Sequence, residues 1–120
     1  MPRHQKLDQV EFPAHDLKAT QAFFNSDFGW KFENFGPEYC AFAGQGLDDS
    51  FYRSKLCSSP QNGSALLVFC CDDLEATLTA VEQAVGRIVK SIFDFPGGRH
   101  CHFSEPSDNE FAVCSALVVK

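Results

Sequence analysis

The sequence contains no apolar run close to the ~20 residues that a membrane-spanning helix needs, so we expect no membrane partner. It also has no basic cluster, since 10 Lys and Arg stand against 16 Asp and Glu and the net charge is -6. That charge would repel a phosphate backbone, so we expect no nucleic-acid partner. The first residues, MPRHQKLDQ, are polar and do not resemble a secretion signal, which favours a cytoplasmic protein.

No CxxC pair occurs in the sequence, which argues against a zinc ribbon or a thioredoxin-like redox site. The six cysteines are Cys40, Cys57, Cys70, Cys71, Cys101 and Cys114. Most of them lie in apolar, strand-like runs such as LLVFCC and FAVCSA. In a reducing compartment such residues pack as small core side chains, so we expect free thiols rather than a disulfide framework.

The chain contains an internal repeat. The segment DLKAT at positions 16–20 returns as DLEAT at positions 73–77, with Phe12 and Phe69 equivalent before it and Gly29 and Gly86 equivalent after it. A register held over about twenty positions indicates two copies of one supersecondary unit. The length of 120 residues allows one domain, spanning 1–120. We place module 1 at about 5–56, a polar linker at 57–64 and module 2 at about 65–117.

Each copy has the pattern of a strand, a helix and three further strands. The extended segments that precede the helices are 7–13 and 65–71. The later strands are expected at 31–35, 39–43 and 50–54, and then at 87–91, 99–104 and 110–116. The fold class is therefore α+β, with two βαβββ modules in tandem.

The two helices have apolar residues at helical spacing. The predicted buried stripes are Leu17, Phe24 and Phe28 in the first helix and Leu74, Leu78, Val81 and Val85 in the second. Asp72 and Glu75 have the spacing of a capping box at the start of the second helix. Gly29 and Gly86 are placed to end the two helices.

This arrangement resembles the vicinal oxygen chelate superfamily of glyoxalases, bleomycin resistance proteins and extradiol dioxygenases. The resemblance covers nearly the whole chain and is most specific in VEFPAHDLKATQAFFNSDFGWKF and FDFPGGRHCHFSEPSDNEFAV. It implies a curved mixed sheet around a shared cavity, often completed in a homodimer. In the closing turn EPSDN an Asp replaces the usual Gly, and Asp tolerates the left-handed conformation that this position needs.

The resemblance also implies positions for the ligands of a divalent metal. Three of these positions fall on Gln9, Leu66 and Ala112, and the fourth lies near Asp48–Ser50 without a reliable alignment. An alkyl side chain cannot bind a metal ion. We therefore expect the usual divalent metal to be absent and no cofactor to be needed.

Strand alternation predicts which side chains face the cavity, because alternate residues of a strand share a face. On the first strand Val10 and Phe12 should lie in the core. The residues expected to face the cavity have the opposite phase along their strands: Gln9, Glu11, Leu66, Val68, His100, His102, Glu110, Ala112 and Cys114. The aromatic residues from Trp30 to Phe42 could stack on a flat ligand or pack in the core.

Three functions fit this pattern. The first, favoured by the apolar Leu66 and Ala112, is a metal-free protein that binds a small organic molecule. The second is a metal-free lyase or isomerase in which Glu11 and His102 form a carboxylate–imidazole pair for acid–base chemistry. The third is a metal-dependent lyase or dioxygenase with shifted ligands, namely Gln9 or Glu11, His102 and Glu110.

Overall fold

The computed structural model describes residues 4–45 and 47–116. Module 1 contains β1 (Gln9–Ala14), α1 (Leu17–Phe28), β2 (Glu33–Asn34), β3 (Tyr39–Gln45) and β4 (Leu47–Arg53). After a short 3-10 turn at Pro60–Asn62, module 2 contains β5 (Val68–Cys70), α2 (Leu74–Gln83), β6 (Arg87–Phe95), β7 (Gly98–Ser104) and β8 (Glu110–Ala116). Every predicted strand region contains a strand, although β1, β2 and β5 are shorter than predicted and β3, β4, β6 and β7 are longer.

The two modules have the same sheet topology. Module 1 forms a four-stranded sheet in the order β1-β4-β3-β2, and module 2 forms one in the order β5-β8-β7-β6. In each sheet the first and last strands of the module pair in parallel and the other neighbours pair antiparallel. A parallel pair needs a crossover connection, which the helix and the two middle strands provide. The predicted α+β fold of two tandem βαβββ modules is confirmed.

Aspartate side chains cap both helices at their N-termini. Asp16 accepts a hydrogen bond from the backbone N–H of Ala19, and Asp73 accepts one from Ala76, each at 3.0 Å. The predicted capping box of Asp72 and Glu75 is wrong, because Asp73 is the N-cap of α2 and Glu75 binds Arg99 instead. Within the described ranges, neither helix is long and apolar enough to cross a membrane.

The C-termini of the two helices differ. Gly29 ends α1 in the left-handed conformation with φ of 71°, as predicted. The predicted end of α2 at Gly86 is wrong, because the helix stops at Gln83 and Val85 takes the left-handed conformation with φ of 69°. Val85 is 80% exposed and not part of the buried stripe. Gly86 is needed for space, since a Cβ atom there would lie 2.6 Å from Phe23 Cε1.

A single aromatic core joins the two modules. The ring of Phe24 on α1 stacks on Trp30 with centroids 4.4 Å apart and contacts Phe51 of β4 and Phe111 of β8 at 5.7 and 5.6 Å. Phe12 of β1 also meets Phe111, at 5.1 Å. The core faces of the two sheets therefore pack together. Because successive side chains of a strand point to opposite faces, every second side chain of each strand lies on the face of its sheet that is turned away from this core.

The closing turn before β8 has the predicted conformation. Asp108 has φ of 68°, which confirms that an aspartate there adopts the left-handed conformation. All six cysteines are free thiols, with Cys40 and Cys101 buried and Cys70 exposed.

Candidate functional site

A cavity of about 530 Å³ lies against the sheet of module 1 and is called the module 1 cavity below. Its described lining comes from β1, from β2 and the segment before and after it, and from β3 and β4: Gln9, Lys31, Phe32, Glu33, Phe35, Tyr39, Ala41, Phe42, Asp48, Asp49 and Ser50. A cavity shared by both modules was expected. The core faces of the two sheets pack against each other, so this cavity is lined by module 1 residues within the described part of the chain.

Aromatic residues form part of the lining of the module 1 cavity. Phe32 and Phe42 meet with their centroids 5.1 Å apart, and Phe35 and Tyr39 meet at 6.0 Å. Phe42 is buried, whereas Phe35 is 55% exposed. The aromatic run thus divides between core packing and a solvent-accessible surface. Exposed ring faces of this kind can stack on a flat organic molecule.

Two buried polar residues of β4, Asp49 and Ser50, are also among the lining residues. Asp49 is 8% exposed and Ser50 is 2% exposed. Asp49 Oδ1 and Ser50 Oγ have no hydrogen-bond partner within the described residues. Burial raises the pKa of Asp49 to about 6, with a hydrogen bond to the backbone of Val10 opposing this and the charge of Asp48 adding to it. Buried polar groups without partners are rare in folded proteins and destabilise them.

Replacement of Asp49 by asparagine should stabilise the protein at alkaline pH. The pKa of Asp49 is about 6 in the folded chain and lies above the ordinary value of 3.8. The protonated Asp49 therefore makes its full contribution to the free energy of unfolding below pH 3.8. It is lost as the pH rises through about 6. Asp49→Asn should raise the free energy of unfolding by about 1–2 kcal/mol at alkaline pH and change it little in acid.

Urea denaturation at an acidic and an alkaline pH measures this difference. Asp48→Asn is the matched control, because Asp48 is the neighbouring carboxylate and is exposed. If Asp49→Asn is no more stable than the wild type at alkaline pH, then burial of the ionised Asp49 carboxylate does not lower the free energy of unfolding.

In module 2 an imidazole–carboxylate pair lies on the face opposite the core. His102 Nδ1 is 2.8 Å from Glu110 Oε2, and the two side chains are 16% and 15% exposed. The predicted pairing of His102 with Glu11 is wrong. Glu11 belongs to the other sheet, where it accepts a hydrogen bond from Gln9 at 3.0 Å. A catalytic role for Glu11 or His102 stays a prediction.

The other predicted cavity residues differ in exposure. Ala112 is fully buried, Val68 is 46% exposed, and Leu66 and Cys114 are partly buried. His100 is buried, and this burial lowers its pKa, with the nearby His102 contributing. Of the nine predicted cavity residues, Gln9 is the one in the described lining of the module 1 cavity.

Sequence reasoning missed Asp49 as a functional candidate. Strand alternation predicted that Gln9 faces a cavity, but the fourth family position near Asp48–Ser50 had no fixed register. The structure pairs Gln9 with Asp48 and Val10 with Asp49 across β1 and β4. The available signal was the acidic pair Asp48-Asp49 within a strand, because a carboxylate on the core face of a sheet requires a specific partner.

The donor groups that a divalent ion would need are not assembled among the residues that the structure describes. Leu66 and Ala112 lack donor atoms at two of the positions that the resemblance indicates. Within residues 4–45 and 47–116, no three His, Cys, Asp or Glu side chains come together in a way that could hold a metal ion. The described donor set therefore does not fit such an ion, and the absence of the metal from the working protein stays a prediction.

Residues 6–113 match the family model described as the Glyoxalase/Bleomycin resistance protein/Dioxygenase superfamily. The match includes both modules, the closing turn and most of β8. The chain belongs to this superfamily, which confirms the resemblance seen in the sequence. No curated protein matches the sequence.

Solved structures with the same fold cover nearly the whole chain. A glyoxalase/bleomycin resistance protein/dioxygenase family enzyme from Burkholderia phytofirmans PsJN has a TM-score of 0.77 at 15% identity, over 93% of this chain and 99% of that chain. The fosfomycin resistance protein FosX from Mesorhizobium loti has a TM-score of 0.74 at 12% identity, over 97% and 96%. The hypothetical protein SA1046 from S. aureus has a TM-score of 0.75 at 11% identity, over 96% of each chain. At these identities the likeness shows the fold alone.

Proposed function

We propose that the protein binds a small organic molecule in the module 1 cavity and does so without the divalent metal that the resemblance implies. The observation that carries this proposal is the cavity of about 530 Å³, whose described lining combines aromatic residues, among them the 55% exposed Phe35, with the polar residues Gln9, Glu33 and Asp48. Apolar surface with a few convergent polar groups is typical of small-molecule sites. The lack of donor groups at Leu66 and Ala112 supports the metal-free form.

Binding of naphthyl probes by titration calorimetry tests this proposal. The probes are 2-naphthylmethylamine, 2-naphthalenemethanol and 2-naphthoate, which share one flat ring system and differ in charge. We expect at least one to bind, and Phe35→Ala to weaken that binding about fivefold because a stacking surface is lost. Phe35 suits this test because it is 55% exposed, so its truncation leaves the core intact.

Tyr52→Ala is the matched control, since Tyr52 is an aromatic residue on β4, 38% exposed and outside the described cavity lining. It should leave the affinity unchanged. If none of the three probes binds, or if Phe35→Ala and Tyr52→Ala weaken binding equally, the proposal that the ligand binds in the module 1 cavity is wrong. Zn, Ni, Fe or Mn near one equivalent in the purified protein, with loss of probe binding after chelation, would overturn the metal-free part.

A second candidate function is a metal-free lyase or isomerase. It is favoured by the His102–Glu110 pair, because a carboxylate at 2.8 Å can orient an imidazole for proton transfer near neutral pH. This pair replaces the Glu11–His102 pair expected from sequence. His102→Gln would abolish turnover of a carbonyl substrate in that case, whereas Phe35→Ala would act on binding. A homodimer and a cytoplasmic location also stay proposals.

A further inference from the structure

Two thiol groups lie side by side on the sheet of module 2. Cys70 of β5 and Cys114 of β8 are direct partners in the parallel pairing of these two strands. The backbone N–H of Cys71 donates to the Cys114 carbonyl at 3.0 Å, which fixes this register. Directly paired residues of neighbouring strands point to the same face of a sheet, so the Cys70 and Cys114 side chains project in the same direction.

Both thiols are accessible from solvent. Phe69 and Val113, the residues that precede them, pack in the core, so Cys70 and Cys114 project from the opposite face of the sheet. Cys70 is exposed and Cys114 is partly buried. β5 is the edge strand of its sheet, so within the described residues no strand pairs with it on the side away from β8. A small ion can therefore reach both sulfur atoms.

The spacing of the strands suits an ion between the two sulfur atoms better than a bond between them. Neighbouring strands are about 4.8 Å apart, whereas the Cβ atoms of a disulfide are about 3.8 Å apart. Both thiols are free in the structure, in agreement with this difference. A metal–thiolate bond is about 2.3 Å long, so one ion in line between two sulfur atoms holds them about 4.6 Å apart.

The set of donors determines the kind of ion. Thiolates are soft ligands that favour Cu(I) over hard cations. Cu(I) accepts two thiolates in line, whereas a structural Zn²⁺ site uses four ligands. His100 is opposite Cys114 but lies two strands away from Cys70. In the part of the chain that the structure describes, no three His, Cys, Asp or Glu side chains could hold a metal ion together, so the thiol pair suits an ion that needs only two ligands.

We propose that Cys70 and Cys114 form a site for a single Cu(I) ion, held in line between their sulfur atoms. Binding breaks the two S–H bonds, releases both protons to solvent and forms two S–Cu bonds. Copper stays as Cu(I), so the step needs neither an oxidant nor a reductant. The site uses neither Leu66 nor Ala112, and it is outside the described lining of the module 1 cavity. It is therefore independent of the proposed function.

Competition for Cu(I) tests the proposal. The reduced full chain is mixed, without oxygen, with Cu(I) bound to the coloured chelator bicinchoninate, and the loss of colour measures the copper that the protein takes up. The wild type should bind one equivalent at this site. Cys70→Ser and Cys114→Ser should each weaken that binding about a hundredfold, because one thiolate cannot hold the ion in line.

Cys57→Ser is the matched control. Cys57 is partly buried, as Cys114 is, but it lies outside the described strands. Its replacement should leave the affinity for Cu(I) unchanged. The double variant of Cys70→Ser and Cys114→Ser should bind no more weakly than either single variant, because both sulfur atoms belong to one site. Losses that add would indicate two independent thiols and would overturn the proposal.

Alkylation of the wild type tests the site even if a variant does not fold. Cu(I) should slow the reaction of Cys70 and Cys114 with iodoacetamide about tenfold, because the coordinated sulfur is no longer a free nucleophile. The reaction of Cys57 should be unchanged, and mass spectrometry of the peptides measures all three. If Cys57 is protected equally, if either single variant keeps the wild-type affinity, or if copper converts the two thiols to a disulfide, the Cu(I) site is wrong. None of these results changes the outcome with the naphthyl probes, so the two proposals can fail separately.

Discussion

Replacing Phe24 with alanine should lower the free energy of unfolding by about 4 kcal/mol. The ring is fully buried and stacks on Trp30 at an interplanar angle of 6°. It also contacts Phe51 in the sheet of module 1 and Phe111 in the sheet of module 2. Phe51 and Phe111 are held by β4 and β8, so the structure could not collapse fully into the space left behind. Most of the cavity penalty should therefore be retained.

Urea denaturation followed by fluorescence measures this loss, and Trp30 is the one tryptophan of the chain. Phe35→Ala is the control, because it removes the same ring from an exposed position and should change stability little. Since Phe12 of module 1 still contacts Phe111 of module 2, the variant should still unfold in a single transition. A loss below about 1 kcal/mol, or separate unfolding of the two modules, would contradict the single shared core.

The fold could be predicted because its determinants are local and occur twice. The DLKAT and DLEAT segments each contain an aspartate N-cap and the first residues of a helix, and the structure has both caps. The turn at Asp108 was also predictable, since its conformation depends on one residue type. The end of α2 was not predictable, because Val85 adopts an unusual backbone conformation while Gly86 leaves space for Phe23 of the other helix. That requirement comes from packing between modules.

The site was harder to predict because it depends on register and on which faces of the sheets meet. Gln9 is in the described lining of the module 1 cavity. Alternation could not tell, however, that the sheets containing Glu11 and His102 pack together by their core faces, so that these two side chains do not meet. The partner of His102 follows from the antiparallel pairing of β7 and β8, which puts Ser104 opposite Glu110 and His102 opposite Ala112. Asp49 is opposite Val10 and Phe42, so its burial depends on the neighbouring β3 and also on β1, which is distant in sequence.

Glu105 holds the closing turn of module 2 against module 1, and its replacement by alanine should lower the free energy of unfolding by about 3–5 kcal/mol. The carboxylate is 2% exposed and accepts hydrogen bonds from the Thr20 hydroxyl, from the Ser107 N–H at 2.9 Å and from the Asn109 N–H at 3.2 Å. Alanine would leave these buried donors without their carboxylate acceptor. The Asn109 side chain donates in turn to the Pro13 carbonyl at 2.7 Å, so the loss should extend to β1.

Glu105→Gln should cost less than Glu105→Ala, because an amide keeps one oxygen for the Thr20 and Ser107 donors while its NH₂ group faces the Asn109 N–H. Glu75→Ala is the second control, since Glu75 binds Arg99 on the surface and exposed ion pairs contribute little. Urea denaturation of the three variants should therefore rank them with Glu105→Ala least stable, Glu105→Gln intermediate and Glu75→Ala close to the wild type. If Glu105→Ala were as stable as Glu75→Ala, the turn would not depend on the buried carboxylate, and the apolar core around Phe24 would have to hold the two modules together alone.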